Sequence, residues 1–318
     1  AQIPLAFKNG ALNYNMNWYY GPSDYTILND YDRNLDEVVP LGWGIFGWIN
    51  RYIFIPVFGL ISGLGISFGI AIILFTVLVR IVMSPVTYKS YLSQAKMKVL
   101  RPEITELNEK FKDNPMKKQQ ETMKLYSKAG VNPMAGCLPA LLQMPIFYAL
   151  FQFFPSMFDL RQKSFLWADD LSSYDSIYQL PFHIPFYGSH VSLFPILASI
   201  AIFFYMKMTT GDQAMSQPTQ EGMPDMGKIM KIMIYVSPIM MLFFFNNYAS
   251  GLSLYYFVSN SITIGIMLVI KNYIVKEDKI HAQIQENKTK EKKEGKFQKK
   301  MRELMEQAEA QKATQKKK

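Results

Sequence analysis

The chain has 318 residues, of which 49% are hydrophobic, 14% aromatic and only 19% charged, a balance too apolar for an ordinary soluble protein of this length. Its single cysteine, Cys137, excludes a disulfide framework within the chain, and no Cys or His spacing suggests a metal site. The net charge of +9 is concentrated in two polar segments between and after the apolar runs, so it bears first on topology.

Residues 1–40 are polar and aromatic. Alternation over Leu12-Asn-Tyr-Asn-Met-Asn-Trp-Tyr-Tyr20, followed by the turn signal Gly21-Pro-Ser-Asp24, predicts the last strand or two of a β domain. No signal peptide precedes it. The segment is too short to bury a core alone, so it is expected to be the remnant of a larger domain.

From Leu41 to Val79 the chain is nearly continuously apolar, about twice the ~20 residues that one membrane-crossing helix needs. Trp43, Trp48, Arg51 and Tyr52 suit a headgroup interface, so residues 41–61 are assigned to an interfacial amphipathic helix. Gly63 and Gly65 mark a bend into a first span over 62–84, closed by Ser84-Pro85.

Residues 86–131 carry ten Lys or Arg and five acids. Leu92, Ala95, Val99, Leu100, Ile104, Leu107 and Phe111 recur at helical spacing, Asp113-Asn-Pro115 breaks the run, and Met116, Met123 and Tyr126 continue it to Gly130. This pattern predicts an antiparallel helical hairpin outside the bilayer. Four further spans follow, over 134–154, 191–209, 229–248 and 252–270, the last two divided by Asn246-Asn-Tyr-Ala-Ser-Gly251. The Lys/Glu/Gln-rich tail, 271–318, predicts a frayed, solvated helix or disorder.

In this layout the hairpin, the connection between the third and fourth spans and the tail hold 28 Lys or Arg, and the opposite side holds five. Basic loops favour the cytoplasm, so residues 1–40 are expected outside and the C-terminus inside. An exported N-terminal segment needs an earlier translocating helix, so at least one span is expected upstream.

Arg80, in Thr76-Val-Leu-Val-Arg80, stands out among residues that belong in lipid. It can snorkel to the nearby cytoplasmic end. Alternatively it faces the bundle, because Ile81, Val82 and Met83 keep the helix apolar beyond it and the spans contain no Asp or Glu to neutralise it. Thr76, Gln143, Tyr255, Tyr256, Asn260 and Ser261 add polar groups on the spans. Singly each is more often an interhelical hydrogen bond; together with Arg80 they can line a polar groove. Pro139, Pro145 and Pro238 should kink their spans, and the Met- and Phe-rich stretches Met144-Pro-Ile-Phe147 and Met240-Met-Leu-Phe-Phe-Phe245 offer either lipid-facing packing or an adaptable apolar surface. No Gly-x-Ser-x-Gly or His-Glu-x-x-His pattern occurs, which argues against a hydrolase, and a proton-coupled transporter usually places a carboxylate in the membrane.

Several motifs together carry a resemblance. They are the span ending at Arg80 with Met83-Ser-Pro85; Ala95-Lys-Met97 and Pro102 in the hairpin; Val131-Asn-Pro-Met-Ala-Gly-Cys-Leu-Pro139 with Gln143-Met-Pro-Ile-Phe147; Leu160-Arg-Gln162; and Ser250-Gly-Leu-Ser-Leu-Tyr-Tyr-Phe-Val-Ser-Asn260. With these the chain resembles the YidC-type membrane protein insertases from about Leu41 to the tail. The resemblance implies an all-α membrane protein of the bacterial inner membrane, with five transmembrane helices around a polar groove, a cytoplasmic helical hairpin and a short N-terminal β-domain remnant. Arg80, Thr76, Gln143 and Tyr256 would then contact a client's polar tail, and Met144, Pro145, Phe147 and Phe244 would form an apolar slide. Nascent membrane proteins and lipid are the implied partners, with the Sec translocon as a further one, and neither cofactor nor metal is implied. The basic tail and hairpin suit ribosomal RNA or anionic lipid. The loop 172–190 is longer than in many members. A channel or transporter and a structural assembly factor without insertion activity are the competing classes.

Overall fold

The computed structural model describes residues 17–112, 114–132, 135, 138–210, 226–274 and 277–289. The chain divides into two compact units, before and after Pro40.

In the first unit, Asp24 accepts a hydrogen bond from the Ile27 amide at 3.1 Å and starts a short helix, α1 (Tyr25–Asn29). A 3₁₀ turn follows at Leu35–Val38. Of the expected strand 12–20, residues 12–16 lie outside the described residues and 17–20 pair with nothing as strand. The Gly21-Pro-Ser-Asp24 signal leads into a helix cap instead of a hairpin.

The second unit is helical. α2 (Gly44–Ile49), a widened π turn at Asn50–Phe54 and α3 (Ile55–Ser62) form one continuous helix. Its buried Asn50 ties it to the bundle by donating to Leu41 O at 2.8 Å and Ala149 O at 2.9 Å. Trp43, Trp48 and Tyr52 are exposed along it. Gly65, at φ +73°, makes the predicted bend.

The next helix, α4 (Phe68–Val99), does not stop at Ser84-Pro85 as expected. Proline lacks an N–H, so the Ile81 carbonyl loses its helical donor. The Ser84 hydroxyl replaces that donor at 2.8 Å, and the helix continues into the first arm of the hairpin. The arm is completed by α5 (Arg101–Lys110), and Asn114 caps the returning α6 (Pro115–Ala129). Gly130, at φ +68°, ends α6 as predicted.

The remaining long helices are α7 (Leu138–Ser156), α8 (Leu193–Thr210), α9 (Met226–Phe245) and α10 (Ser250–Val269), the last extended by a π turn at Ile270–Ile274. Among the described residues, five helices are long and apolar enough to cross a membrane: Gly44–Ser62, Phe68–Val99, Leu138–Ser156, Lys228–Phe245 and Ser250–Tyr273. The set differs from the sequence assignment, since it includes the helix read as interfacial and omits α8, whose apolar part, Leu193–Thr209, is shorter. Yet α8 packs along both α9 and α10, and its Phe194 and Ala198 are buried.

Between α7 and α8, β1 (Tyr178–Ile184) and β2 (Gly188–Val191) form an antiparallel hairpin. The tail also departs from expectation. Residues 290–318 lie outside the described residues, but α11 (Glu277–Thr289) docks on the hairpin arms. Ile280 and Ile284 are buried against Leu100, Ile104 and Tyr126. Asn287 donates to Ala129 O at 3.2 Å, and Lys288 pairs with Glu103 at 2.6 Å. Burial in this cluster pushes the Tyr126 phenol above its ordinary range.

Candidate functional site: a polar cluster beneath an aromatic seal

Arg80 is twelve residues into α4, about 18 Å from its start at 1.5 Å per residue. It lies within the apolar part of a helix long and apolar enough to cross a membrane. The side chain points across the bundle, and its Nε–H donates to Ser259 Oγ on α10 at 2.6 Å. Among the described residues no carboxylate pairs with it. A guanidinium has five donors, so one bond to serine leaves most of its capacity uncommitted.

Around it lie further polar side chains. Tyr205 on α8 and Tyr255 and Tyr256 on α10 are within electrostatic reach of Arg80, and Gln143 on α7 lies beside both α10 phenols. Tyr255 OH lies within reach of Ser259 and Gln143, and Tyr256 OH within reach of Gln143, yet Gln143 Nε2 and both phenols lack a well-formed hydrogen bond among the described residues. On α8 and α10, nearer the loop end, Ser199 Oγ and Ser253 Oγ are also buried without a hydrogen-bond partner among the described residues. Buried polar atoms almost always have a partner, so a cluster of orphans is suited to water or to the polar groups of a bound molecule.

Thr76, predicted to share the arginine's face, is fully buried, and its hydroxyl donates to its own helix at Ile72 O, 2.6 Å away. The Asn260 side chain is likewise spent on Tyr256 O at 2.7 Å. The sequence reading gave no role to Ser259 or Tyr205. The signal for Ser259 was its spacing, three residues after Tyr256 on one face of a helix.

The two tyrosines join the polar cluster to an aromatic region. The Tyr255 ring packs on Phe75 and Phe154, within a cluster that adds Phe54, Phe58 and Phe153. Tyr256 meets Phe147 at 5.5 Å and Phe245 at 5.2 Å. From there a ladder of rings links α7 to α9, with Phe151–Phe244 at 5.5 Å and Phe244–Tyr248 at 4.8 Å. Of the predicted slide residues, Phe147 and Phe244 touch one another at 6.4 Å. Met144 is 67% exposed and Pro145 partly so.

Beyond this aromatic layer, the loop between α7 and α8 closes the bundle end. Asn246 Nδ2 donates to Tyr187 O and His190 O at 2.8 and 3.0 Å, and its Oδ1 accepts from the Ser192 amide at 3.1 Å. Buried Asp175 Oδ2 accepts from Trp167 Nε1 and from the Leu193 and Phe194 amides, capping α8 where the helix dipole favours an anion. Gly251 lets α10 approach closely, since a Cβ there would lie 2.9 Å from Leu171 O. The Ser250 and Gly251 amides donate to Ser173 O and Leu171 O. The bundle therefore has a sealed loop end and, on the other side of the aromatic layer, an unsatisfied polar cluster.

The family model described as "60Kd inner membrane protein" matches residues 59–279. The chain belongs to this family. Relatives named "Membrane protein insertase YidC" include one from Parabacteroides distasonis, 45% identical over 95% of this chain and 49% of its own length. Others are from Bacteroides fragilis, 48% identical over 80% of this chain and 42% of the relative, and Porphyromonas gingivalis, 41% identical over all of this chain and 52% of the relative. The chain spans about half the length of the curated relatives it matches. Family membership and the apolar helices make it a multi-pass membrane protein.

Proposed function

We propose that the chain is the membrane core of an insertase rather than of an enzyme. The observation that carries this reading is Arg80 on a membrane-length apolar helix, bonded to Ser259 with no carboxylate partner among the described residues, beside weakly satisfied polar groups and next to packed aromatics. Such a site lowers the desolvation cost of a client's polar tail, because each peptide or carboxylate group leaving water finds a donor. Client apolar segments then pass along Met144, Pro145, Phe147 and Phe244 into lipid. Hydrophobic transfer supplies the free energy, with no nucleotide required.

In the orientation favoured by the 28-to-five distribution of basic residues, the polar cluster opens toward the cytoplasm and residues 1–40 face the periplasm. Thr76 acts in this scheme by holding the helix beside Arg80 rather than by touching the client. The hairpin and tail are the surfaces placed to meet a ribosome, and the Sec translocon is a further partner by family resemblance. The sealed loop end argues against a channel, which needs a polar path through both leaflets.

The test is insertion of a small single-span client into proteoliposomes by the full-length protein, comparing the parent with Arg80→Ala and Arg80→Lys. Protease protection of the client's translocated tail reads insertion. The Ala variant should lose severalfold more activity than the Lys variant on clients with acidic tails. Equal activity of all three would remove the charge from the mechanism, and client binding without any protected tail would favour an assembly factor.

A further inference from the structure

The β hairpin between α7 and α8 has no part in the client path, yet its side chains are not those of an ordinary solvated loop. Tyr178 and Phe182 are exposed, and at the turn Phe186 is 91% exposed. Phe186 also holds φ at +67°, a region that bulky residues avoid. The turn is fixed in this shape by Asn247 Nδ2, which donates to Phe186 O at 3.1 Å and Tyr187 O at 3.0 Å. Gly188, at φ +104°, has no Cβ to obstruct Asn247 Oδ1, which would lie 2.9 Å from one.

These bonds also fix the depth of the turn. Asn246 and Asn247 directly follow α9, so the Phe186 backbone sits at the end of a membrane-crossing helix. The neighbouring Tyr187 ring packs on Phe243 of α9 at 5.3 Å, and Phe243 and Phe244 are exposed on that helix. The aromatic surface of the turn is therefore continuous with the apolar outer surface of α9. At its other end the hairpin runs through Val191 into α8. Residues 174–192 contain no Lys or Arg, and their one acid, Asp175, is buried as the α8 cap. Nothing exposed on the hairpin carries a fixed charge that would oppose contact with lipid.

We propose that the 178–191 hairpin is a membrane-interface anchor, with Phe186 and Phe182 seated at the headgroup–acyl boundary of the leaflet at the sealed end. Aromatic side chains favour that boundary, and a ring held in lipid offsets the backbone cost of its left-handed conformation. The anchor fixes the end of α9 beside the Phe244 ladder. It rests on the chain spanning a membrane and is independent of the insertase reading.

The test places an environment-sensitive fluorophore on Phe186→Cys of the full-length protein, in a background with its native cysteines, Cys137 included, replaced by Ser, in lipid nanodiscs. A second site, Phe182→Cys, reads the same surface should the first variant not fold. Exposed Glu109 on α5, changed to Cys, is the aqueous control. The hairpin sites should be quenched by lipids bearing a nitroxide near the headgroup, with iodide quenching severalfold weaker than at the Glu109 site. Iodide quenching equal to that control would overturn the proposal. So would protection from both quenchers, which would place a protein partner or a second copy on the hairpin.

Discussion

At the sealed end of the bundle one buried side chain, Asn246, bonds two carbonyls and an amide of the long loop. At the helical-hairpin end, α11 is held against the arms by contacts that include two buried isoleucines, the Asn287 hydrogen bond to Ala129 O and the partly exposed Lys288–Glu103 pair. The first arrangement is costly to open, because every lost bond leaves a desolvated group behind. The second rests mainly on burial of the two isoleucines, because a partly exposed ion pair contributes less than about 1 kcal/mol, and opening it strands fewer buried polar groups. The element rich in buried polar bonds therefore lies beyond the polar cluster, and the one held mainly by an apolar stripe lies on the basic helical hairpin.

The largest break in this contrast should come from Asn246→Leu. It strands His190 O and the Ser192 amide in a buried site and leaves Tyr187 O with only its bond from Asn247, at a cost on the order of 3 kcal/mol. The thermal midpoint in detergent should fall markedly, with amide exchange rising across residues 174–192. An unchanged midpoint would mean that the loop does not seal the bundle.

A smaller effect is expected from Gly251→Val, whose Cβ would press on Leu171 O, Phe154 and Ile72, costing roughly 1–3 kcal/mol through overpacking. The same melting experiment should rank it between Asn246→Leu and the parent.

The smallest global effect belongs to Ile284→Asp. Placing a carboxylate against Leu100, Ile104 and Tyr126 should undock α11, removing roughly 1.5–3 kcal/mol of local burial. Hydrogen exchange should rise in α11 and the hairpin arms, while residues 174–192 and the melting midpoint stay as in the parent. Retained protection of α11 would contradict the docking.

Much of the helical plan was legible because its signals are local. Gly65, Asn114 and Gly130 set their bends and caps through backbone preferences that neighbouring residues do not override. Arg80 was legible as an anomaly, but its partner Ser259 lies 179 residues away in sequence, and no local pattern joins the two. The end of the first span was misread because a proline stop can be cancelled by a single hydroxyl, as Ser84 does here. Docking of α11 was hidden because a stripe as narrow as Ile280, Ile284 and Asn287 is diluted by the charged residues around it. Helices 41–61 and 191–209 show the limit of composition: similar length and apolarity do not say which lies flat and which crosses.

The Ser84 substitution for a missing backbone donor makes α4 a single lever. From Arg80 to Val99 is nineteen residues, or about 28 Å of unbroken helix. One end of the lever carries the guanidinium, and the other carries half of the helical hairpin. Whatever tilts the hairpin must therefore either swing Arg80 relative to Ser259 or be absorbed as bending at Pro85, five residues away.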